Sequence, residues 1–359
     1  MDNYKKIVIK IGTNVLTQDN GLLNLNVIQN LVYQISELKK KGLDVILVSS
    51  GAMGAGRSLI KLSDKTNDVV KRQILASIGQ PKLINIYSEF FKEQGFICAQ
   101  ILATKEDFRD RTHYLNMKNC FNALLQDNII PIVNENDVVS ITELMFTDND
   151  ELAGLIASMM SVDALILLTN VDGIFDGDPK NKDSKVIPLI QPEINKFSNF
   201  VSKEKSQFGR GGMITKCGIG HKMSLVGITT HIANGKKENI LLELYDKKEI
   251  GTKFLLKKEV SNIKKRVALS EGYEKGIIFI NNGAKDALLS EDKAHSLLPI
   301  GVIKIEGTFE KGDIVKINDE NNNNIGLGIV QTTSAKAINQ IGKKGQKPLI
   351  HYDYLFLKG

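Results

Sequence analysis

Two lysines, a run of carboxylates and amides, and two glycine-rich turns are the residues whose types and spacing suit chemistry. Lys10 lies between Ile9 and Ile11 in KKIVIKIG. A lysine inside an apolar strand is costly unless an anion meets it at the strand end, although one reaching water from an edge strand would read the same. Lys216 follows Gly209, Gly211 and Gly212 in FGRGGMITK. Amide groups freed at a helix start, with a lysine one turn in, make a phosphate cradle without the spacing of a Walker loop; the plain alternative is a glycine hinge beside a solvated lysine. Between the lysines, IIPIV stops at Asn134, Glu135, Asn136 and Asp137, and ALILL stops at Thr169, Asn170 and Asp172, while Asp148, Asn149 and Asp150 open the apolar run LAGLIASMM. Singly, such residues cap helices and form turns. Asp137, Asp148 and Asp150 on one sheet edge, however, crowd like charge that a cation or cationic ligand has to answer. VSSGAMGAG, with Ser50, Gly51 and Ala52, either makes a tight turn or lets an anion approach the backbone at another helix start. Cations around a transferred group, a positioned acceptor and no visible general base together suit phosphoryl transfer to an acceptor that is already ionised, such as a carboxylate.

These residues need a scaffold that gathers strand ends. KKIVIKIG is a strand, and Asn26 is expected to cap a helix with an apolar stripe from Val27 to Leu38 that closes at Lys39, Lys40, Lys41 and Gly42. DVILVSS is the next strand, followed by helical sequence from about Val69 to Gln94 interrupted at Gly79 and Pro81, the strand GFICAQIL, and a helix from about Asn116 to Gln126. Alternating strands and helices imply an α/β fold: a mainly parallel open sheet with helices on both faces, ligands binding beyond the strand carboxyl ends. The polar segment up to Gln207 reads as surface loop. Past Leu256 the pattern changes to short strands with Gly, Asn and Asp turns (GIIFINNGA, GVIKIEGTF, GDIVKIND, IGLGIVQ, PLIHYDYLFL), a small β-rich domain with Asn321 to Asn324 as a hairpin loop. The expected division is a first domain over 1–256, a basic linker over 257–272 and a second domain over 273–359.

At 359 residues, 42% hydrophobic and 25% charged, the chain is long enough for a large domain and a small one. No apolar run approaches the roughly 20 residues that span a bilayer, and the chain moves directly into a strand without a leader, so a cytoplasmic protein is expected. Cys98, Cys120 and Cys217 lack paired spacing and read as small buried residues, and the five histidines form no zinc pattern. Much of the +6 charge sits between Lys253 and Arg266, where six cations face only Glu259, as in a solvated linker.

In order and spacing, VIKIGTNVL, VSSGAMGAG, IVNENDVV, TDNDELA, LLTNVDGIF with DGDP, and GRGGMITK resemble the glutamate-phosphorylating members of the amino acid kinase family over residues 5–250. The tail from Tyr273 to His351 resembles the PUA domain of many such members. The resemblance implies ATP-dependent phosphorylation of the side-chain carboxylate of L-glutamate to γ-glutamyl phosphate, at the head of proline synthesis. Carried onto this sequence, Lys10 and Lys216 stabilise the transferring phosphoryl group and Asp150 organises them. Ser50, Gly51 and Ala52 help seat glutamate, and Asn134, Asp137, Asp148 and Asn149 hold its α-amino and α-carboxylate groups, with Asp137 and Asp148 answering the ammonium. Lys10, Gly12, Thr169, Asn170, Gly211, Gly212, Met213, Ile214, Thr215 and Lys216 bind ATP. Asn170 departs from the family's usual aspartate, which alters how the adenosine is held. Magnesium is expected on the phosphates. Feedback inhibition by proline, homo-oligomerisation and contact with the next enzyme, glutamyl phosphate reductase, are also implied. Sister kinases acting on aspartate, acetylglutamate or a nucleotide share the phosphate machinery. An RNA-binding role, common among PUA proteins, is disfavoured by residues 273–359, where eleven lysines and no arginine face ten acids.

Overall fold

The structure, a computed structural model, describes residues 4–63, 66–140, 146, 148–179, 181, 183–194, 212–256, 267, 272–290 and 294–357. It divides into two compact units, Met1–Glu259 and Val260–Gly359. The first is built on an eight-stranded sheet of β1 (Lys6–Ile11), β2 (Asp44–Ser49), β3 (Cys98–Ala103), β4 (Ile130–Glu135), β5 (Ala164–Thr169), β6 (Leu189–Ile190), β7 (Thr229–Asn234) and β8 (Thr252–Phe254). Strand order is β3-β4-β2-β1-β5-β7-β8-β6, parallel except where β8 meets β7. Chain order therefore doubles back: β2 and β3 extend one way from β1, β4 slots between them, and β5 starts the other way. Ligands bind in the crevice such a reversal leaves beyond the strand carboxyl ends. Lys253, the first cation of the basic run, stands in β8; of the expected linker 257–266 and 268–271 lie outside the described residues, as does 195–207 of the expected loop, whose earlier part contains β6.

Period-two alternation divides β1 between two layers. Ile7, Ile9 and Ile11 belong to the core shared with α2 (Leu25–Lys40), after the short α1 (Thr13–Leu16). Each such aliphatic side chain stabilises by roughly 1.5–3 kcal/mol when fully buried. Lys10 alternates onto the other face. The cap of α2 is Asn24, whose side chain accepts from the Val27 amide at 3.3 Å, and not Asn26, which lies inside the helix.

Two further helices differ from their sequence expectation. After α3 (Ala52–Arg57), α4 runs unbroken over Asp68–Glu93 with Pro81 inside it. The proline forfeits the bond to the Ser77 carbonyl, but Leu83, Tyr87 and Phe91 bury the turns beyond it and hold the helix together. Gly79 is a packing position: a methyl there would overlap the Ala52 carbonyl of α3, and one on Gly56 would overlap the Leu75 carbonyl of α4. After α5 (Lys105–Arg109), α6 (Arg111–Gln126) starts five residues before the expected 116, because Asp110 accepts from the His113 amide. The remaining helices are α7 (Asn149–Met159), α8 (Met213–Leu225) and α9 (Ile240–Tyr245). Of the cysteines only Cys217 is buried; Cys120 is exposed and Cys98 intermediate.

The second unit has β9 (Gly276–Ile280), β10 (Val302–Gly307), β11 (Ile314–Asn318), β12 (Asn324–Ile329) and β13 (Leu355–Leu357) in the order β10-β9-β11-β12-β13. Its own core contains Ile278, Ile280, Phe309, Val315, Ile317 and Ile350. The hairpin turn covers 319–323, since Asn324 already pairs with Asn318, and Asp319 holds it by accepting from the Asn321 and Asn323 amides. Helices over Asn282–Leu289 and Ser334–Ile338 were not expected from the sequence.

Candidate active site

Lys10 sits near the carboxyl end of β1, registered between Val48 of β2 and Leu167 of β5. A strand with partners on both sides excludes a lysine reaching water from an edge, and Lys10 is buried. Its Nζ lies 2.6 Å from Asp150 Oδ1, and Lys216 Nζ, from the fourth residue of α8, lies 2.9 Å from Asp150 Oδ2. Two lysines from opposite ends of the domain thus share one carboxylate, one on each oxygen. Asp150, fully buried near the start of α7, would be raised by burial, but Lys10 and Lys216 outweigh that and hold its carboxyl at about 2. Burial pulls the Lys10 ammonium below its usual value against the pull of Asp150. Burial also acts to lower Lys216, but there Asp150 prevails and the net shift is upward. Asp150 therefore holds two ammonium groups side by side at the carboxyl edge of the sheet, each with donors beyond the one spent on Asp150 to offer an anion.

Asp148 caps α7. Its Oδ1 accepts from the amides of Asp150 (2.9 Å) and Glu151 (3.1 Å), and its Oδ2 from the Thr215 hydroxyl (2.8 Å). The residue expected to meet a ligand ammonium is thus also the joint between the starts of α7 and α8. Burial and the neighbouring Asp150 push its carboxyl up. Thr215, expected at the nucleotide, spends its hydroxyl on this joint and on the Gly212 carbonyl at 2.8 Å.

On the β2 and β4 side a chain of amides forms. Asn149 Nδ2 donates to Ser50 Oγ and to Asn134 Oδ1, both at 3.0 Å, and Asn134 Nδ2 donates to Gln80 Oε1 of α4 at 2.9 Å. Ser49 places its neighbour: its hydroxyl donates to the Ser50 carbonyl (2.9 Å) and meets the buried Tyr87 hydroxyl (2.8 Å). Gly51 has φ +108°, a conformation that favours glycine, and turns the chain into α3 at Ala52. Glu135 alternates to the other face of β4, where its carboxylate accepts from the Phe146 amide at 2.9 Å. Asp137 does not stand as an open charge, because Arg72 Nη2 of α4 lies 2.9 Å from its Oδ1. Arg72 and Gln80 went unread in the sequence; a glutamine on the stripe that carries Ala76, Leu83 and Tyr87 was the available signal.

Thr169 ends β5 buried, and the exposed Asn170 follows, its side chain meeting the Thr169 hydroxyl at 3.4 Å. Beside them Asn234 donates to Asp172 Oδ1 at 2.9 Å and Lys237 pairs with Asp172 Oδ2 at 2.8 Å. Gly12 lies beside the ammonium, where an added methyl would make only ordinary contact with Lys10 Nζ at 3.5 Å. Gly212 caps α8, whose first residues are Met213 and Ile214; Gly209 and Gly211 lie outside the described residues. Among the described residues no group of three or more His, Cys, Asp or Glu could hold a metal ion, and no helix is long and apolar enough to cross a membrane.

The amino acid kinase family model matches residues 5–234, and the PUA domain model residues 276–351. The chain is 52% identical over 354 residues to the glutamate 5-kinase of Chlorobaculum tepidum, covering 99% of this chain and 98% of that one. It is 49% identical over 358 residues to the glutamate 5-kinase of Bacteroides thetaiotaomicron, covering 99% of each. Among solved structures, a product complex of T. acidophilum isopentenyl phosphate kinase aligns with TM-score 0.51 at 18% identity, over 70% of this chain and all of that one. UMP kinase from Bacillus anthracis aligns with TM-score 0.50 at 14% identity, over 71% and 97%. At such identities these two share the fold alone. With matched family models over both units and relatives aligned from end to end, the chain belongs to the amino acid kinase family, in its glutamate 5-kinase branch with a C-terminal PUA domain.

Proposed function

We propose that the ammonium pair on Asp150 is the cradle through which the γ-phosphoryl group of ATP passes to the side-chain carboxylate of L-glutamate. One glutamate oxygen attacks the γ-phosphorus, the bond to the β-phosphate oxygen breaks, and ADP and γ-glutamyl phosphate leave. The acceptor is ionised at neutral pH, so no general base is required. What remains is alignment and neutralisation of the charge spreading over the phosphoryl oxygens, which Lys10 and Lys216 supply from fixed positions. Asp150 positions both and keeps them from repelling one another apart. Ser50, Gly51, Ala52, Asn134 and Asn149 hold the amino acid, with Asp137 and Asp148 towards its ammonium. Gly12, Thr169, Asn170 and the segment Gly211, Gly212, Met213, Ile214, Thr215 and Lys216 border the nucleotide.

The observation that carries this reading is two lysines meeting one buried aspartate at the carboxyl edge of the sheet. Magnesium enters as the counter-ion of ATP: Asp150 has both oxygens on lysines and Asp148 both on N–H or O–H donors, so neither fits as a direct ligand, and no step runs through a protein-bound metal. Inhibition by proline, self-association and hand-over of the labile acyl phosphate to a glutamyl phosphate reductase belong to the same reading.

The test is a panel of glutamate, aspartate and acetylglutamate with ATP, trapping the acyl phosphate as its hydroxamate. Glutamate should give the highest kcat/KM by a wide margin; a preference for either of the others would move the enzyme to a sister activity.

A further inference from the structure

Among the described residues, those assigned to hold the amino acid are short of positive charge. Ser50, Asn134 and Asn149 are neutral, Asp137 and Asp148 are acidic, and Lys10 and Lys216 both sit on Asp150. Glutamate brings a second carboxylate, on its α-carbon, and in a partly desolvated pocket that group is held best by a cation, with or without N–H donors such as those at the Gly51 turn. Arg72 is a cation bonded to this segment: its Nη2 lies 2.9 Å from Asp137 Oδ1, with 24% of its side chain and 9% of that of Asp137 exposed. The neighbouring Gln73 donates to the Val138 carbonyl at 2.7 Å, and Gln80 holds Asn134, so α4 fixes this segment at three points. A guanidinium donates along more than one edge and holds two carboxylates at once. An amino acid carries its ammonium and carboxylate on one carbon, and a fixed Asp–Arg pair presents the complementary signs side by side.

We infer that Arg72 is a specificity-determining residue that takes the α-carboxylate of the substrate while Asp137 takes the α-ammonium. The inference rests on glutamate being the substrate. It is tested with isoglutamine, the α-carboxamide of L-glutamate, which keeps the ammonium and the reacting carboxylate but loses the charge that Arg72 would read. Wild-type enzyme should prefer glutamate by about 10- to 100-fold in kcat/KM, the range of one charge-assisted contact. Arg72→Gln should bring that preference to within about threefold of unity, through a raised KM for glutamate with little change in kcat. Arg72→Lys, which keeps a point charge without the fork, should restore part of the preference. Where turnover of isoglutamine is too slow to follow, its inhibition constant against glutamate replaces its KM. An equal loss on both ligands would make Arg72 a mere support for Asp137 and overturn the inference, as would a wild-type enzyme that does not distinguish them. A wild-type enzyme inactive on glutamate would instead overturn the substrate reading beneath it, and the inference with it.

Discussion

Lys216 stands 2.9 Å from Asp150 and is, among the described residues, one of the two cations proposed to meet the transferring group. Lys216→Ala is therefore expected to cut kcat by about 10² to 10³ while KM for glutamate moves little, the pattern for a contact that strengthens in the transition state. Steady-state kinetics on the purified variant decide it, and a near-normal kcat would remove Lys216 from the chemistry. The two site carboxylates respond to acid in opposite senses. Asp150 is held at about 2, below an ordinary carboxylate, so its pairing stabilises the fold above pH 4 and is lost only as pH falls from about 4 towards 2. Asp148 is shifted upward, so the folded protein binds its proton more tightly than the unfolded chain, and stability declines as pH rises through that interval. Lys10 was legible in the sequence because apolar neighbours made its charge conspicuous. That both lysines land on Asp150 was not, since no local pattern encodes a contact between residues so far apart in the chain. Arg72 was hidden for another reason: beside Lys71 at the start of a helix it looks like half of a solvated basic pair.

Helices α3 and α4 touch backbone to backbone, and this makes glycine substitutions informative. Gly79→Ala should destabilise the protein by about 2–4 kcal/mol, since the methyl has only main-chain atoms of α3 to displace. Gly218→Ala, inside α8 with nothing within 4 Å of the added carbon, should instead stabilise by roughly 0.5–1 kcal/mol. Denaturant unfolding of the two variants checks the contrast; a Gly79→Ala variant that is not destabilised would mean that the approach of α3 to α4 is not tight. The sequence shows a glycine and a proline in one helix and suggests a break. Tertiary packing of Leu83, Tyr87 and Phe91 decides otherwise, and that packing is not a local property. Strands fared better, because continuous apolar runs ending in polar clusters record the burial of parallel strands directly.

At the scale of the whole chain, every residue assigned to phosphoryl transfer lies in the first unit, and each unit has its own core. A chain ending at Leu256 is expected to fold and phosphorylate glutamate, with changes confined to magnesium dependence, proline inhibition or assembly. Soluble, folded protein of that length with no activity at any magnesium concentration would show that the PUA domain completes the catalytic machinery. The β-rich tail was readable from its short strands and turn composition; its two short helices were not, being too brief to show a period. Placing Lys10 in β1 and Lys216 in α8 also ties activity to biosynthesis. Lys10 is among the first residues to be synthesised, Lys216 only after most of the first unit. Until α8 docks, Asp150 holds a single ammonium, and an emerging chain is expected to phosphorylate no faster than the Lys216→Ala variant. Full-rate phosphoryl transfer is on this reading withheld from chains cut short of Lys216, and its onset in a refolding mixture marks the closing of the two distant ends upon each other.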